Sequence, residues 1–593
     1  MFQTFDAQSS PDQGPPRLAA LRAEMAARGF DAFLVPRADA HQGEYVAPRD
    51  ARLEWLTGFS GSAGFCAVLA DVAGIFIDGR YRVQVRTQVA DEFTPVDWPE
   101  QRLAGWLPTQ LQSGVLAYDP WLHTVSEIAD LRRDLSQFTL APTDNLVDLI
   151  WADQPAAPVA PYTAHAIEHA GERHDAKRAR LAADLKQDAA ILTLPDSIAW
   201  LLNIRGTDIA RNPVPQAFAI LHKTGRIDLF AGFGKADGIL DHLGPDVALH
   251  DISGFLNALK GLRGSALIDA RTCPDIVATA LTDAGCEVVQ AKDPCILPKA
   301  CKNAVEIAGA QAAHKRDAVA MVRFLAWLDG QGPDAGLTEI DVVKALEGFR
   351  MQTNALRDIS FETICGAGPH GAIVHYRVTE DTNRKLGAGE LLLVDSGGQY
   401  IDGTTDITRT MAIGTPTAEH QQCYTRVLQG MIAVSRIRFP HGVGGQHLDA
   451  LARAPLWLAG QDYDHGTGHG VGSYLSVHEG PQGISRRSEV ALQQGMILSN
   501  EPGYYREGAF GIRIENLIFV ADAPALDGAD DRKMLAFETL TYVPFDKRLI
   551  DTSLLTQAER HWIDGYHADT LHLLAPLLDA GARDWLTTAC APL

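Results

Sequence analysis

The run LLLVDSGGQYIDGTTDITRT, residues 391–410, is the stretch from which the fold and chemistry of this chain are most readily inferred. Asp395 ends a strongly apolar strand, and Asp406, eleven residues later, begins a second strand after a glycine-containing turn. Such a pair can face each other across a hairpin. Buried carboxylates that share a site must share a proton or bind a cation. Ordinary turn and capping chemistry, which also favours Asp in DG and TD steps, stays open as the alternative.

Three histidines follow within the glycine-rich segment DHGTGHGVGSYLSVHEGP: His465, His469 and His478. The glycines allow positive φ angles and a close approach of the backbone to a ligand. A nucleotide-binding loop is disfavoured, because the glycine spacing is not GxGxxG and no apolar strand runs directly into the segment. A surface loop with incidental histidines remains the plain structural alternative.

Two further acidic residues lie in SNEPGYY and GIRIENLIFV. Glu501 precedes a proline, which favours an extended backbone and fixes the direction of the carboxylate. In the second segment, strand alternation predicts Ile512 and Ile514 on one face and Arg513 and Glu515 on the other. A solvated ion pair is the ordinary interpretation. The apolar flanks instead favour a polar face that points into a cavity.

The bulk properties restrict the kind of partner. The formal net charge of −22 and the lack of a dense Lys/Arg run argue against nucleic-acid binding. No long apolar stretch predicts a membrane span, and the start MFQTFDAQSS lacks the pattern of a secretory signal. The eight cysteines are scattered without CxxC pairs, which is typical of a reducing compartment. We therefore expect a cytoplasmic protein without nucleic-acid or membrane partners.

The order of helix and strand patterns predicts three domains in a mixed α/β and α+β chain. RLAALRAEMAARGF followed by DAFLVPRAD begins an α/β domain over residues 1–150. RHDAKRARLAADLKQ followed by DAAILTLP begins a related one over 165–300, after the proline-rich linker WADQPAAPVAPYT. The third domain, 301–593, opens with a long amphipathic helix at NAVEIAGAQAAHKRDAVAMVRFLAWLD and ends in two more.

The order Asp, Asp, His, Glu, Glu in VDSGGQYIDGTTDITRT, HGTGHGVG, NEPGYY and GIRIEN resembles the metal-ligand set of the Xaa-Pro aminopeptidases (aminopeptidase P). These belong to the creatinase/prolidase/methionine-aminopeptidase superfamily, peptidase family M24. DAHQGEYVAPRDARLEWLTGFSGSAG, IAWLLNIRGTDIARNPVPQAF and FETLTYVPFD resemble its long three-domain branch. The resemblance implies two related creatinase-N-like α/β domains, then a pita-bread metallopeptidase domain with a C-terminal helical extension.

The resemblance also implies a set of site residues. Two divalent ions are expected, Mn²⁺ first with Co²⁺ and Zn²⁺ as alternatives, since four carboxylates and one imidazole form a hard ligand set. The implied metal ligands are Asp395, Asp406, His469, Glu501 and Glu515. The implied catalytic residues are His375, His465, His478 and Glu501. The implied substrate-binding residues are Arg80, His375, His465, His478 and Arg513, with a surface role as the alternative for Arg80.

The activity that the resemblance implies is hydrolysis of the bond between an N-terminal residue and a penultimate proline by a metal-bridging hydroxide. The expected partners are such peptides and a second copy of the chain in a homodimer. A prolidase, which splits X-Pro dipeptides, is the alternative within the superfamily. A non-catalytic pita-bread module that binds peptides or proteins is the alternative outside enzymes, and the intact ligand set argues against it.

Overall fold

The structure is a computed structural model that describes residues 1–7 and 9–593. It divides into two compact units. Of the described residues, the first unit contains 9–296. The second unit contains Met1–Ala7 together with Leu297–Leu593. None of the helices among the described residues is both long enough and apolar enough to cross a bilayer.

The first unit contains two six-stranded sheets with the same layout. The strands of the first sheet are β1 (Ala32–Pro36), β2 (Phe65–Leu69), β3 (Ala73–Ile77), β4 (Phe93–Asp97), β5 (Gly114–Tyr118) and β6 (Phe138–Pro142). Their order across the sheet is β4-β3-β2-β1-β5-β6. The antiparallel pairs β1–β2 and β2–β3 lie at the centre, and parallel pairs lie outside them.

The helices that accompany this sheet are α1 (Gly14–Arg28), α2 (Arg52–Thr57), α3 (Val85–Gln88), α4 (Leu103–Gln110), α5 (Val125–Asp134) and α6 (Leu146–Ile150). The apolar positions of α1 pack against one face of the sheet in a core that includes Leu21, Phe33 and Ile75. The predicted helix and strand at the start of the chain are therefore confirmed as α1 and β1.

The second sheet follows a stretch without helix or strand at 154–162, where the proline-rich linker was predicted. Its strands are β8 (Ala189–Leu192), β10 (Ala217–His222), β11 (Ile227–Ala231), β12 (Val247–Asp251), β13 (Ser265–Ile268) and β14 (Glu287–Gln290), and the short β7 (Thr163–Ala164) and β9 (Ile204–Arg205) pair separately. The order β12-β11-β10-β8-β13-β14 repeats the parallel and antiparallel pattern of the first sheet. The prediction of two related α/β domains is confirmed.

The helices of this second half are α7 (Ile167–Ala170), α8 (His174–Asp184), α9 (Pro195–Leu202), α10 (Leu240–Leu243), α11 (Phe255–Gly261) and α12 (Asp275–Asp283), and α13 (Ile296–Ala300) spans the division between the units. The two halves of the first unit share polar contacts. The Tyr118 hydroxyl donates to the Asp275 carboxylate at 2.8 Å, and the Val125 amide donates to the Cys273 carbonyl at 3.0 Å.

The second unit is a mixture of helices and antiparallel strands. Its helices are α14 (Ala304–Gln331), α15 (Glu339–Met351), α16 (Ala418–Arg436), α17 (Gln446–Trp457), α18 (Gln557–Leu574) and α19 (Ala580–Ala589). The predicted long helix is confirmed as α14. Asn303 and Glu306 form a capping box at its start, which satisfies amide groups that the first turn leaves without helical partners.

The strands of this unit form three sheets and a hairpin. They are β15 (Leu356–Ile359), β16 (Ile364–Ala367), β17 (Leu391–Ser396), β18 (Gly398–Tyr400), β19 (Gly403–Thr404), β20 (Ile407–Ala412), β21 (Arg438–Pro440), β22 (Gly468–Gly470), β23 (Glu479–Ile484), β24 (Ile497–Asn500), β25 (Gly503–Arg506), β26 (Phe510–Arg513), β27 (Asn516–Asp522) and β28 (Met534–Thr539). The sheet orders are β16-β17-β20, β15-β18-β19 and β21-β28-β27-β24-β22-β23, with β25-β26 as the hairpin.

The two C-terminal helices, α18 and α19, are the pair predicted from the last segment of the sequence. Ile563 and Tyr566 of α18 lie in the same apolar core as Ile512 and Ile514. His567, also on α18, is fully buried, and its Nε2 accepts the amide hydrogen of Phe545 at 3.1 Å. The helical extension is therefore part of the unit's core.

His567 is expected to make the second unit acid-sensitive. Burial, with the positive charges of Lys547 and Arg409, lowers the pKa of His567 to about 4. The unfolded chain takes up this proton near pH 6.5 and the folded chain does not, so stability falls as the pH drops from about 6.5 towards 4. The loss from His567 between pH 7 and pH 5 should be about 2 kcal/mol.

His567→Gln removes the titration and keeps a side-chain acceptor for the Phe545 amide. Urea unfolding at pH 7 and pH 5, at a fixed metal concentration, should therefore show a smaller pH effect in the variant than in the unchanged protein. Equal pH effects in the two proteins would show that His567 does not contribute.

Candidate metal centre

Two paired strands carry the first two acidic residues. β17 and β20 run antiparallel, with Asp395 opposite Thr408, and Asp406 lies directly before β20. The predicted hairpin is longer than a single turn, because the short strands β18 and β19 fold back between the two acids. Both carboxylates are buried. The structure thus brings Asp395 and Asp406 to the same end of one sheet.

His469 is placed by the glycine strand β22. A Cβ atom on Gly468 would lie 2.0 Å from the Ser499 carbonyl oxygen, so only glycine allows this approach to β24. The His469 amide donates to Ser499 Oγ at 2.9 Å, and its Nδ1 lies 2.9 Å from the Gly470 carbonyl oxygen. Nδ1 is therefore the protonated nitrogen, and Nε2 is the nitrogen that can bind a metal.

The two glutamates lie in breaks between strands. Glu501 separates β24 from β25, where its amide donates to the Thr467 carbonyl at 2.7 Å. Glu515 separates β26 from β27, because its amide donates to the Thr408 carbonyl at 3.2 Å instead of continuing a ladder within the strand. Each predicted single strand is therefore two strands with a carboxylate at the join. Glu515 Oε2 accepts the Thr408 hydroxyl at 2.8 Å.

Donor atoms of Asp406, His469 and Glu515 all lie within 4.8 Å of one another, as ligands of a single ion do. His469 Nε2 also lies 3.4 Å from Glu501 Oε1 and 3.5 Å from Asp406 Oδ2. Asp395 Oδ1 and Asp406 Oδ1 are buried without a hydrogen-bond donor. Buried carboxylate oxygens without donors, beside an imidazole, form an oxygen-rich set that suits hard divalent ions. The residues therefore fit a metal centre.

The protonation behaviour of the cluster follows from crowding of buried acids. Burial raises the pKa of Asp395 to about 7, with Arg513 opposing the shift and Asp406 and Glu501 adding to it. Burial also raises the pKa of Glu501, and it raises that of Glu515 well above its ordinary range together with the charges of its acidic neighbours. Without a cation, a cluster of buried carboxylates retains protons, so divalent ions and protons should compete for these carboxylates.

Two interactions tune His469 and Asp395. Burial lowers the pKa of His469, but contacts with Asp406 and Glu501 raise it to about 9. Arg513 Nη2 donates to Asp395 Oδ2 at 2.6 Å, and burial of this arginine is almost complete. Arg513 and Glu515 both face away from the apolar core that takes Ile512 and Ile514, as strand alternation predicts.

The other three predicted histidines are His375, His465 and His478. The ring centroid of His478 lies 4.3 Å from that of His469. His465 Nε2 lies 2.9 Å from the Tyr505 hydroxyl. His375 lies in a turn, and the carbonyl of its neighbour Val374 accepts a hydrogen bond from Arg513 Nη2 at 3.3 Å. Their roles toward a substrate stay predictions.

Tyr505 is a residue of this site that sequence reasoning missed. Its hydroxyl accepts from Arg513 Nη1 at 2.6 Å and contacts His465 Nε2. It therefore connects the arginine behind Asp395 with the histidine. The sequence signal was the aromatic pair in NEPGYY, of which Tyr505 lies four residues after Glu501 and so has the same parity in an extended chain.

Arg80 lies in the first unit, after β3. Its guanidinium is ion-paired with Asp78 at 2.7 Å and lies 5.2 Å from the centre of the Tyr81 ring. Burial by itself would lower the pKa of Arg80, but its interactions with Tyr81 and Asp78 outweigh burial and raise the pKa. The arginine is thus held in one orientation within its own unit, and its contact with a substrate stays a prediction.

Family models match nearly the whole chain. The model of metallopeptidase family M24 matches residues 308–522, and that of the C-terminal region of peptidase M24 matches 533–593. Two models of the creatinase/prolidase N-terminal domain match 17–150 and 153–306. "Aminopeptidase P1" of Lotus japonicus is 37% identical over 97% of this chain and 99% of its own length. The chain belongs to the Xaa-Pro aminopeptidase P family of the M24 metallopeptidases.

Other members of the Xaa-Pro aminopeptidase P family agree with this assignment. The "probable Xaa-Pro aminopeptidase P" of Laccaria bicolor is 37% identical over 97% of this chain and 93% of its own length. A solved structure, described as a cytosolic X-prolyl aminopeptidase from Caenorhabditis elegans with a di-nuclear active site, is 32% identical, with a TM-score of 0.92. It covers 98% of this chain and 99% of the other. The predicted fold class, two creatinase-N domains followed by a pita-bread domain, is confirmed.

Proposed function

We propose that this protein is a metal-dependent aminopeptidase that hydrolyses the bond between an N-terminal residue and a penultimate proline. The observation that carries the proposal is the buried cluster of donor atoms from Asp406, His469 and Glu515 in a full-length member of the Xaa-Pro aminopeptidase P family. Asp395 and Glu501 complete a set of four carboxylates and one imidazole. We propose this set as the ligands of two divalent ions.

When bound, the two ions supply Lewis acidity and neutralise the crowded carboxylates. Mn²⁺ is the proposed metal because hard oxygen donors dominate the set, and Co²⁺ and Zn²⁺ are the alternatives. His469 presents Nε2 to this site, because the Gly470 carbonyl holds the proton at Nδ1. The di-nuclear active site of the Caenorhabditis elegans relative supports two ions over one.

Residues of the site also bind the peptide and move protons. Glu501 takes and returns the proton of the attacking water, a role that suits a buried carboxylate whose pKa is raised. Asp395, whose orientation Arg513 fixes, attracts the free N-terminal amine and so favours cleavage at the first residue. His375 and His478 orient the peptide and its protons, and His465 lines the proline side.

Proline at the second position changes what the site must recognise. An X-Pro bond has no N–H, so a peptidase that requires this donor handles it poorly. A site lined by His465 and Tyr505, whose ring centroids lie 5.4 Å apart, offers ring surfaces against which a pyrrolidine can pack. We propose that Arg80 also binds the substrate. All of these roles rest on family membership together with the contacts given above.

Three broader proposals accompany the activity. We propose domain boundaries at 1–150, 165–300 and 301–593, except that residues 1–7 pack with the third domain. We also propose a homodimer as the working assembly. A cytoplasmic location is supported by the cytosolic relative from Caenorhabditis elegans. Size-exclusion chromatography with light scattering checks the dimer, since a monomeric mass at micromolar concentration would contradict it.

The function is tested by one assay with three peptides. A tripeptide X-Pro-Y, an X-Pro dipeptide and the matched X-Ala-Y tripeptide are compared before chelation, after chelation and after addition of Mn²⁺. We expect cleavage of X-Pro-Y alone, its loss on chelation and its recovery with Mn²⁺. Cleavage of the dipeptide only would indicate a prolidase. Cleavage that chelation leaves unchanged, or no cleavage with metal restored, would contradict the proposal.

A further inference from the structure

Strand β20 has one face toward the metal centre and the other toward the C-terminal region. On the first face, the Thr408 hydroxyl donates to Glu515 Oε2 at 2.8 Å, and the Thr410 hydroxyl donates to the Arg513 carbonyl at 3.0 Å. Successive side chains of a strand point to opposite faces. Arg409, between the two threonines, therefore extends away from the proposed ligands, where it is 1% exposed.

The guanidinium of Arg409 is saturated with acceptors from distant parts of the chain. Nη1 donates to the carbonyl oxygen of Glu515 at 2.6 Å and to that of Thr408 at 2.9 Å. Its other acceptors are the Val543 carbonyl (2.7 Å), Asn516 Oδ1 (2.8 Å), the Tyr566 hydroxyl (3.1 Å) and the Pro544 carbonyl (3.3 Å). The planar, forked arrangement of donors in arginine makes such multiple bonding possible, and the point charge of a lysine does not.

The hydrogen bond from Arg409 to the Glu515 carbonyl fixes a peptide unit that the sheet leaves unpaired. Glu515 lies in the break between β26 and β27, so regular ladder pairing does not fix its carbonyl group. A buried carbonyl needs a donor, and Arg409 supplies it at the shortest distance in its set. The peptide unit of Glu515 is thereby tied to Val543 and Pro544 and to Tyr566 of α18.

We infer that Arg409 is a positioning residue, which fixes the carboxylate of Glu515 through its main chain and ties the metal centre to the C-terminal helical region. The inference rests on the proposed metal site. Arg409 does not contact metal or substrate in this arrangement. It acts through the peptide unit of Glu515, as groups behind metal ligands commonly do.

The charge of Arg409 makes the inference testable, because charge and positioning predict opposite results. Removing the positive charge beside the peptide unit of Glu515 would strengthen the binding of a divalent ion if charge alone mattered. Loss of positioning weakens that binding instead. Arg409→Lys keeps the charge but loses the fork, so we expect it to bind metal less tightly even though the local charge is unchanged.

A cavity beside Arg409 offers a second test. It has a volume of about 300 Å³ and is lined by Arg409 together with apolar residues that include Met411, Ile413, Phe545 and Trp585. Guanidinium ions that enter this cavity would meet the space that Arg409→Ala creates. If only the hydrogen-bond fork is missing, millimolar guanidinium chloride should restore the Mn²⁺ affinity of Arg409→Ala, and the control solutes sodium chloride and urea should not. General loosening of the fold would not be reversed by guanidinium.

The experiment is calorimetric titration of chelator-treated protein with Mn²⁺, with circular dichroism and thermal unfolding on the same samples. We expect the Mn²⁺ affinity of Arg409→Lys and Arg409→Ala to fall by about 10- to 100-fold. Guanidinium should restore most of it in Arg409→Ala alone. The matched control is Arg52→Lys, since Arg52 is also buried and ion-paired, with Asp148 at 2.6 Å, but lies in the first unit. Its Mn²⁺ affinity should not change.

The outcomes are separable. Unchanged or tighter Mn²⁺ binding in Arg409→Lys overturns the inference, and so does an equal loss in Arg52→Lys. If Arg409→Ala does not fold, Arg409→Lys carries the decision. Unaltered protein that binds no Mn²⁺ at all overturns the proposed metal centre itself, whereas normal binding in the unaltered protein leaves Arg409 alone under test.

Discussion

Asp406→Asn is expected to lower kcat/KM for an X-Pro-Y peptide by about 10³-fold or more, because loss of a metal ligand removes several kcal/mol of transition-state stabilisation. The Asp406 carboxylate lies at the centre of the cluster, with donor atoms of His469 and Glu515 within 4.8 Å. Its Oδ1 is buried, and no protein donor forms a hydrogen bond to the carboxylate on that side. Asparagine keeps the shape and loses the charge.

The fall should occur in metal content as well as in rate. Metal analysis after gel filtration, together with steady-state kinetics at saturating Mn²⁺, measures both. The matched control is Asp402→Asn, in the turn four residues earlier, where the carboxylate accepts from Arg316 at 2.9 and 3.1 Å. This partly exposed pair should contribute little, so activity should stay near that of the unaltered protein. Full metal content and near-normal turnover in Asp406→Asn would contradict the ligand assignment.

How far the sequence predicts this site can be judged from single residues. Strand alternation separated Ile512 and Ile514 from Arg513 and Glu515 correctly, because period-two patterning depends only on neighbouring residues. The break before Asn516 was not predicted, since it arises from the bond between the Glu515 amide and the Thr408 carbonyl. That bond joins positions more than a hundred residues apart, and no local pattern reports it.

The same limit applies to Arg409 and to the first residues of the chain. Arg409 lies in the most informative run of the sequence, yet its role depends on acceptors at Glu515, Val543 and Tyr566. At the N-terminus, the side-chain amide of Gln3 pairs with the main chain of Thr363, which donates to Gln3 Oε1 at 2.9 Å. Residues 1–7 accordingly belong to the second unit, although sequence order places them in front of the first.

Resemblance to a family supplied what local chemistry could not. Spacing alone left Asp395 and Asp406 open to a turn role, and left the three histidines open to a surface loop. The family match implied that five separated residues converge, and the structure brings Asp406, His469 and Glu515 together. The sequence did not identify Tyr505, because its importance comes from contacts with Arg513 and His465 that no sequence motif predicts.

Gly468→Ala is expected to lower kcat/KM by about 10²-fold and to destabilise the protein, although it adds only one methyl group. The new Cβ would lie 2.0 Å from the Ser499 carbonyl oxygen and 2.9 Å from its carbon, so β22 must move away from β24. Both contacts are backbone atoms, which cannot turn aside as a flexible side chain can. His469 moves with β22, and a displacement of about 1 Å at a reacting group can cost about 10²-fold in rate.

The matched control is Gly466→Ala, two residues earlier in the same segment. There the nearest atoms to an added Cβ are Ser485 Cβ at 3.4 Å and the Ile484 carbonyl oxygen at 3.6 Å, which are ordinary contact distances. We expect Gly466→Ala to retain its metal affinity and activity, and Gly468→Ala to lose about 1–3 kcal/mol of stability with weaker Mn²⁺ binding. Thermal unfolding, Mn²⁺ calorimetry and X-Pro-Y kinetics measure the three effects. Since the two variants carry the same added methyl, a difference between them reports the close approach of β22 to β24 that positions His469, and equal behaviour would show that this approach does not set the geometry of the site.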